Sequence, residues 1–560
     1  MDLTRPADLK EHASGTGARR TRYPVYVDYL PPCNSACPAG EDIQGWLAEV
    51  SAKNFERAWQ ILVADNPMPA VLGRVCYHPC ENSCNRTHID STVSIHAVER
   101  FLGDLAREHG WIPAVQRPDS GKRVLVIGAG PSGLSAAFHL RRLGHQVEIR
   151  EAGPLAGGMM HFGIPAYRLP RDVLAEEIAR IEAMGIEITL NHKVQNVLRE
   201  KDEGQFDAVF VAIGAHLAKK VDIPARDAGQ MLDALSFLKE ADAGGQPLLG
   251  RRVAVYGGGN TAMDAARTAR RLGAAEALII YRRDMANMPA HRFEAEEALA
   301  EGIKINWLRT ISEIDASNIK VEIMRIENGR PIGTGEFETL QADSLILALG
   351  QNSDSEFLRP VPGIEFERDG TVIVGPDMMT GATGIFAGGD MVPSERTVTV
   401  AVGHGKKAAR HIDGYLRGNP YVPANKNPTI GHERLHMWYQ TSAPARQQAH
   451  LPAAKAADSF NEIVGGLETD EAVFEAQRCL SCGNCFECDG CLAACPEDAV
   501  IKLGPGKRYR FDYEACTGCA VCYEQCPCHA IEMVPEGGAP ANPDLAKDRP
   551  ASKTKTDVRR

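Results

Sequence analysis

The sequence predicts an α/β protein: two Rossmann-like domains set between a helical N-terminal segment and a small α+β unit near the C-terminus. Three observations carry this. A strand, a glycine-rich turn and a helix follow one another from residue 122, and the same pattern restarts at residue 252. The 16 cysteines fall into two dense groups, five at 33–84 and eleven at 479–528. A Pro-, Ala- and Gln-rich stretch at 421–475 separates the glycine turns from the second group. The predicted units are 1–116 (helical, with the first cysteines), 117–220 and 354–420 (two parts of one nucleotide-binding domain), 221–353 (a second), 421–475 (linker), 476–536 (the second cysteine group) and 537–560, expected to be disordered.

Bulk properties exclude several classes. Net charge is 62 − 73 = −11 with no block of like charges, which argues against a nucleic-acid partner. No apolar run approaches ~18 residues, so no membrane span is expected. The N-terminal MDLTRPADLKEH has no hydrophobic segment, so no secretory signal is expected, and a cytoplasmic location with reduced thiols follows. Dense cysteines at two- and three-residue spacings then point to metal rather than disulfides.

The first turn reads Gly128-Ala129-Gly130-Pro131-Ser132-Gly133, directly after the strand KRVLVI. Its first glycine suits a tight turn, its second lets the backbone approach a pyrophosphate, and its third lets helix and strand pack closely. The helix N-terminus then faces the phosphates. Glu151 ends the next strand and is placed to accept from a ribose. Far downstream, Gly384–Asp390 (GIFAGGD) is a short apolar strand ending in Gly389 and Asp390, a pattern typical of a second FAD contact at the ribityl chain. The second turn, Gly257-Gly258-Gly259-Asn260-Thr261-Ala262, is the Gly/Ala variant. The strand after it ends in Arg282-Arg283 instead of an acid. Guanidinium groups suit a 2′-phosphate, which favours NADPH.

Cys485, Cys488, Cys491 and Cys495-Pro496 form a bacterial-ferredoxin run, and Cys516, Cys519, Cys522 and Cys526-Pro527 repeat it. In this pattern the fourth cysteine of each run serves the other cluster. One 4Fe–4S cluster is therefore assigned to Cys485, Cys488, Cys491 and Cys526, the other to Cys516, Cys519, Cys522 and Cys495. Cys528 stays unassigned. The N-terminal Cys33, Cys37, Cys76, Cys80 and Cys84 are spaced more loosely and read as metal ligands, iron–sulfur before structural thiols. His78, His88 and His96 read as surface or packing residues. No Ser–His–Asp, paired-carboxylate or zinc constellation stands out.

These segments together resemble a known family. CNSACPAGEDI, GRVCYHPCENSC, GAGPSG, GGMMHFGIPAYRLP (157–170), GGGNTAMDAARTARR and YRR are similar to the small subunit of NADPH-dependent glutamate synthase and to the electron-input half of dihydropyrimidine dehydrogenase. The resemblance covers about residues 30–415, and the C-terminal unit looks like a fused two-cluster ferredoxin. It implies an FAD domain split around an inserted NADPH domain, with hydride passing from nicotinamide to flavin and single electrons leaving through clusters. It places 157–170 along the isoalloxazine, with Gly158 and Arg168 as cofactor contacts and Gly163, Ile164 and Pro165 as flavin-facing candidates, and it names no catalytic residue. It also implies one N-terminal cluster on Cys37, Cys76, Cys80 and Glu99.

The sequence departs from the family at one point. Relatives carry an Arg-Cys-x-x-Cys before the first cysteine pair, whereas residues 1–32 here hold no cysteine. Arg478-Cys479-Leu480-Ser481-Cys482 occurs instead at the entrance to the ferredoxin unit. Cys479 and Cys482 are therefore expected to complete a cluster with Cys33 and Cys84, either within the chain or from the second chain of a dimer. Otherwise they are free thiols. Four clusters are expected in all.

Three functions remain open: an NADPH:ferredoxin oxidoreductase, an electron-input subunit of a larger complex such as a glutamate synthase or a 2-oxoacid:ferredoxin oxidoreductase, and a non-enzymatic redox sensor. The partner is a ferredoxin or a larger redox enzyme.

Overall fold

The computed structural model describes residues 20–219, 223–226 and 230–537. The first glycine turn leaves the middle strand of a five-stranded parallel sheet. Edge to edge its strands are Ile385–Ala387, Ala208–Val211, Arg123–Ile127, Gln146–Arg150 and Glu187–Thr189. Central strands such as RVLVI and AVFV are apolar almost throughout because both faces of a parallel sheet are covered. The helix Pro131–Arg142 packs against Val398–Leu416 so closely that a Cβ on Gly405 would lie 2.3 Å from the Ser132 carbonyl oxygen. Ile385–Ala387 is a distant return to the first sheet, so this domain is split around an insertion.

The insertion holds a second five-stranded parallel sheet, ordered Lys304–Trp307, Glu276–Tyr281, Arg252–Tyr256, Ser344–Leu347 and Gln230–Asp233. An antiparallel sheet containing Arg309–Asp315, Asn318–Glu327 and Arg330–Gln341 covers one face of it. Leu217–Ala218 and Gln351–Asn352 pair where the chain crosses between the two domains.

The N-terminal cysteines sit among the helices Ile43–Ser51, Phe55–Val63, Pro69–Val75 and Ile95–His109. Two departures from the sequence reading matter for function. Residues 22–26, assigned to the helical unit, form a strand that pairs antiparallel with Ile531–Pro535, the last strand of the ferredoxin unit. The stretch 421–475 is also more than a connector: Ala456 and Ile463 are buried against Tyr167, and the helix Thr469–Gln477 starts inside it. The tail expected to be disordered lies, apart from Gly537, outside the described residues. Among the described residues no helix is long and apolar enough to cross a membrane.

Candidate cofactor and cluster sites

At the first turn, Gly128 has φ +105°, and a Cβ there would lie 2.5 Å from the Ala212 carbonyl oxygen. A Cβ on Gly133 would lie 1.9 Å from the Gly128 oxygen, so the third glycine is fixed by helix–strand packing. A Cβ on Gly130 would meet only the Cα of Gly158, at 3.9 Å. Between them opens a cleft of about 480 Å³, lined by Gly128, Gly130, Ser132, Glu151, Gly158, Gly389 and Asp390. Ser132 contributes a buried hydroxyl with no hydrogen-bond partner at the helix N-terminus. An orphaned donor, a glycine cradle and a helix start together fit the pyrophosphate of a dinucleotide. Glu151 accepts from the amides of Ala129 (2.8 Å) and Gly153 (2.7 Å), bracing the turn while it lines the cleft. Burial pushes the Asp390 carboxyl up to about 6, against the pull of Arg396.

Two sets of residues named by the family resemblance lie beside this cleft rather than on its wall. Arg168 is not among the residues lining this cleft. Its guanidinium is buried between the domains, 2.9 Å from Asp264 and 2.5 Å from Glu294, both on helices of the inserted domain. A buried cation must be paired, and these two carboxylates pair it. Gly163, Ile164 and Pro165 line an adjoining cavity of about 190 Å³, shared with Leu238, Thr268 and Phe460, and Phe162 borders both spaces.

The second turn repeats the first. Nothing lies within 4 Å of a Cβ placed on Gly259, which leaves room for phosphate, and Asn260, Thr261 and Ala262 open the helix Asn260–Arg271. Arg282 and Arg283 follow directly on Glu276–Tyr281, the strand beside the one that feeds this turn. Asn260 is engaged. It donates to the Tyr77 hydroxyl (2.6 Å) and accepts from the His291 amide (2.9 Å), while Tyr77 stacks on His291 at 3.6 Å. Nothing in the sequence singled out Tyr77, which ties the first cysteine group to this turn.

All 16 cysteines are free thiols, and 15 of them are drawn into four groups. Cys37, Cys76 and Cys80 come together with Glu99. Burial raises all four, Cys76 to about 12, and Glu41 and Glu99 add to the push on Cys37. Glu41, itself buried, was not foreseen. This group lies beside the helix that walls the cleft: Thr399 opposes the burial that raises Cys76, and Ala401, two residues further along the same helix, lines the cleft.

Cys33, Cys84, Cys479 and Cys482 surround a small cavity of about 20 Å³ with Leu47, Val93 and Ile95. Burial raises Cys479 to about 11 and Cys482 to about 12. The pair is delivered by its own chain. Thr469–Gln477 is capped by Glu468 and Glu471, and it packs into the N-terminal helical core. Arg478, 2% exposed, then donates to the carbonyls of Ser91 (2.7 Å), Thr92 (2.8 Å) and Ala443 (2.6 Å) and pairs with Glu475.

In the ferredoxin unit, burial raises Cys485, Cys488 and Cys491, and the nearby Cys526 adds to the rise of each. Cys495, Cys516, Cys519 and Cys522 line a second small cavity. Asp489 and Ala520, at matching positions of the two runs, both have positive φ (61° and 70°), so the two loops repeat one another. Cys528 lies with its Sγ 3.8 Å from that of Cys526. Four thiols around one small void, as at Cys33, Cys84, Cys479 and Cys482, suit a metal cluster, which neutralises thiolates that burial alone would disfavour. His78, Glu81 and His96 bring three ligand atoms within 4.8 Å of one another. Both ring nitrogens of His96 are taken, by Glu81 and Gln448 at 2.8 Å, His78 stacks on it, and His88 stacks on His432.

Two dinucleotide turns on separate parallel sheets, with thiol groups starting at the cleft wall, define a dinucleotide-dependent electron-transfer protein. The chain belongs to the pyridine nucleotide-disulphide oxidoreductase family, which residues 122–405 match. Residues 26–111 match dihydropyrimidine dehydrogenase domain II, 4Fe-4S cluster, and residues 509–532 match a 4Fe-4S binding domain. No cysteine lies within 122–405, so this member keeps the fold without a disulfide in that region. The chain is 36% identical to the NADP(+)-dependent formate dehydrogenase subunit beta of Moorella thermoacetica, over 84% of this chain and 73% of that one. It is 32% identical to the NADPH-Fe(3+) oxidoreductase subunit beta of Geobacter sulfurreducens, over 82% and 76%. It is 33% identical to the glutamate synthase [NADPH] small chain of Escherichia coli, over 69% and 89%, in line with the resemblance read from the motifs.

Proposed function

We propose that this protein is an NADPH-linked FAD and iron–sulfur oxidoreductase that passes single electrons to or from a partner redox protein. The observation that carries it is the continuity of the sites. The dinucleotide cleft shares the helix Val398–Leu416 with Cys76, and only two residues separate Cys482 from Cys485. FAD, when bound, takes electrons in pairs from the nicotinamide and releases them singly, and 4Fe–4S clusters carry them one at a time.

The chain's part is holding and shielding. Gly128, Gly130, Gly133, Glu151, Gly158, Gly389 and Asp390 would hold FAD. Gly257, Gly259, Asn260, Thr261 and Ala262 would hold the NADPH pyrophosphate, and Arg282 and Arg283 its 2′-phosphate. Cys37, Cys76, Cys80 and Glu99 would hold the first cluster, and Cys33, Cys84, Cys479 and Cys482 the second. The ferredoxin unit would hold two more. Cys488 and Cys519 are exposed, which suits exchange with a partner at that end. Two relatives are named as beta subunits of larger enzymes, and this favours an electron-input subunit over a stand-alone enzyme. A cytoplasmic location is part of this reading. Two intact dinucleotide turns argue against a non-enzymatic sensor.

Nucleotide choice provides the test. Each charge-assisted contact to the 2′-phosphate favours NADPH by roughly 10- to 100-fold. Dye-coupled steady-state kinetics are expected to give a kcat/KM for NADPH higher than for NADH by that factor, and Arg282→Ala/Arg283→Ala is expected to remove most of the preference. Equal kcat/KM values in the unmodified protein would contradict the assignment.

A further inference from the structure

The ferredoxin unit borrows its first strand from the other end of the chain. Arg22–Tyr26 pairs with Ile531–Pro535 over five residues, and the Val27 amide continues the ladder to the Ala530 carbonyl at 3.0 Å. This strand ends in Tyr26. Its ring is 3% exposed and stacks on Phe511 at 4.7 Å, and its hydroxyl oxygen lies 3.4 Å from the Sγ of Cys491. A thiolate sulfur bound to iron has no proton, so in the loaded protein the phenol must be the donor.

We propose that Tyr26 is a positioning residue that sets the reduction potential of the ferredoxin cluster on Cys485, Cys488, Cys491 and Cys526, by donating its O–H to the Cys491 sulfur. The proposal rests on the reading that these four cysteines hold a cluster. Reduction adds one electron and one unit of negative charge to the cluster, and no bond is made or broken. Tyr26 keeps its proton, and burial keeps the phenol neutral. A donor aimed at a ligand sulfur bonds more strongly to the more negative, reduced state, so it raises the potential. The site it acts on begins three residues after Cys482, which makes it the entry point from the shared cluster into the ferredoxin unit. A raised potential there draws the electron forward. The N-terminal strand thus does more than fasten two domains, because it carries the donor that tunes the junction between them.

The experiment is an anaerobic EPR redox titration of the full-length, iron-loaded protein and its Tyr26→Phe variant. Phenylalanine keeps the stacking ring and deletes the donor. At the potential where this cluster is half reduced in the unmodified protein, the variant's reduced-to-oxidised ratio is expected to fall roughly three- to tenfold, tenfold being 59 mV for one electron. The other ferredoxin cluster and the iron content are expected to stay unchanged. An unchanged midpoint in a fully loaded variant would overturn the proposal. If the phenylalanine variant loses iron, 3-fluorotyrosine at position 26 decides. It keeps the shape and is a stronger donor, so the midpoint must rise, and no rise overturns the proposal. Failure of the underlying reading looks different, since the unmodified protein would then show no ferredoxin-type signals at all.

Discussion

Replacing Cys479 and Cys482 together by serine is expected to remove one whole cluster, about four of roughly sixteen iron atoms if the chain holds four. Both ferredoxin signals are expected to survive in the EPR spectrum. Cys33 and Cys84 alone cannot complete a cluster, and the thiols facing them across the cavity are Cys479 and Cys482. In the proposed assignment the ferredoxin sites draw on other cysteines, eight in two crossed sets, so they would be insulated from the change. A second consequence is mechanical. The Arg478 network stays, but the cluster that ties residue 33 to residue 482 goes. Limited proteolysis is expected to cut faster between the N-terminal helices and the ferredoxin unit. A variant that keeps its full iron content would refute the shared site.

Replacing Arg168 by methionine is expected to destabilise the protein by about 3–5 kcal/mol, the usual loss when one partner of a buried ion pair is removed. The side chains of Arg168, Asp264 and Glu294 are 9%, 5% and 0% exposed, so screening by solvent gives little relief. Without the guanidinium, two carboxylates face each other at the boundary between the two dinucleotide domains. The loss depends on pH, and its sign follows from Glu294. Burial already raises this group from 4.5 to about 7, with Arg168 opposing the rise, so losing Arg168 lifts it further. A carboxyl raised in the folded state costs stability as pH increases above its unfolded value. The drop in the first thermal unfolding transition is therefore expected to be larger at pH 8 than at pH 6. Adding Asp264→Asn and Glu294→Gln is expected to recover most of it.

These two sites also show what the sequence made legible. The glycine turns were readable because their constraint is local. Gly128 must take a left-handed conformation and Gly133 must clear a carbonyl a few residues back, and both demands appear in six consecutive letters. The ferredoxin runs were readable for the same reason. The meeting of Cys33 and Cys84 with Cys479 and Cys482 was legible only against the family pattern, as a surplus pair at one end and a deficit at the other. The partners of Arg168 were not legible because a buried guanidinium suits a phosphate or a carboxylate equally well, and only the tertiary fold shows that two carboxylates wait in the inserted domain. The strand Arg22–Tyr26 escaped notice because it is five residues long, contains Pro24 and pairs with residues some 500 positions away. Proline is tolerated there because the sheet has only two strands and leaves an open edge. The contact of Tyr26 with Cys491 was hidden with it.

The central claim is that one chain carries electrons from NADPH through a flavin to a series of clusters. The most direct test is an anaerobic titration of the fully loaded protein with NADPH, following the flavin absorbance and the EPR spectrum together. The account predicts that NADPH bleaches the flavin and that signals of reduced 4Fe–4S clusters grow in the same samples. A flavin that NADPH leaves oxidised, or a bleached flavin beside clusters that stay silent, would contradict it.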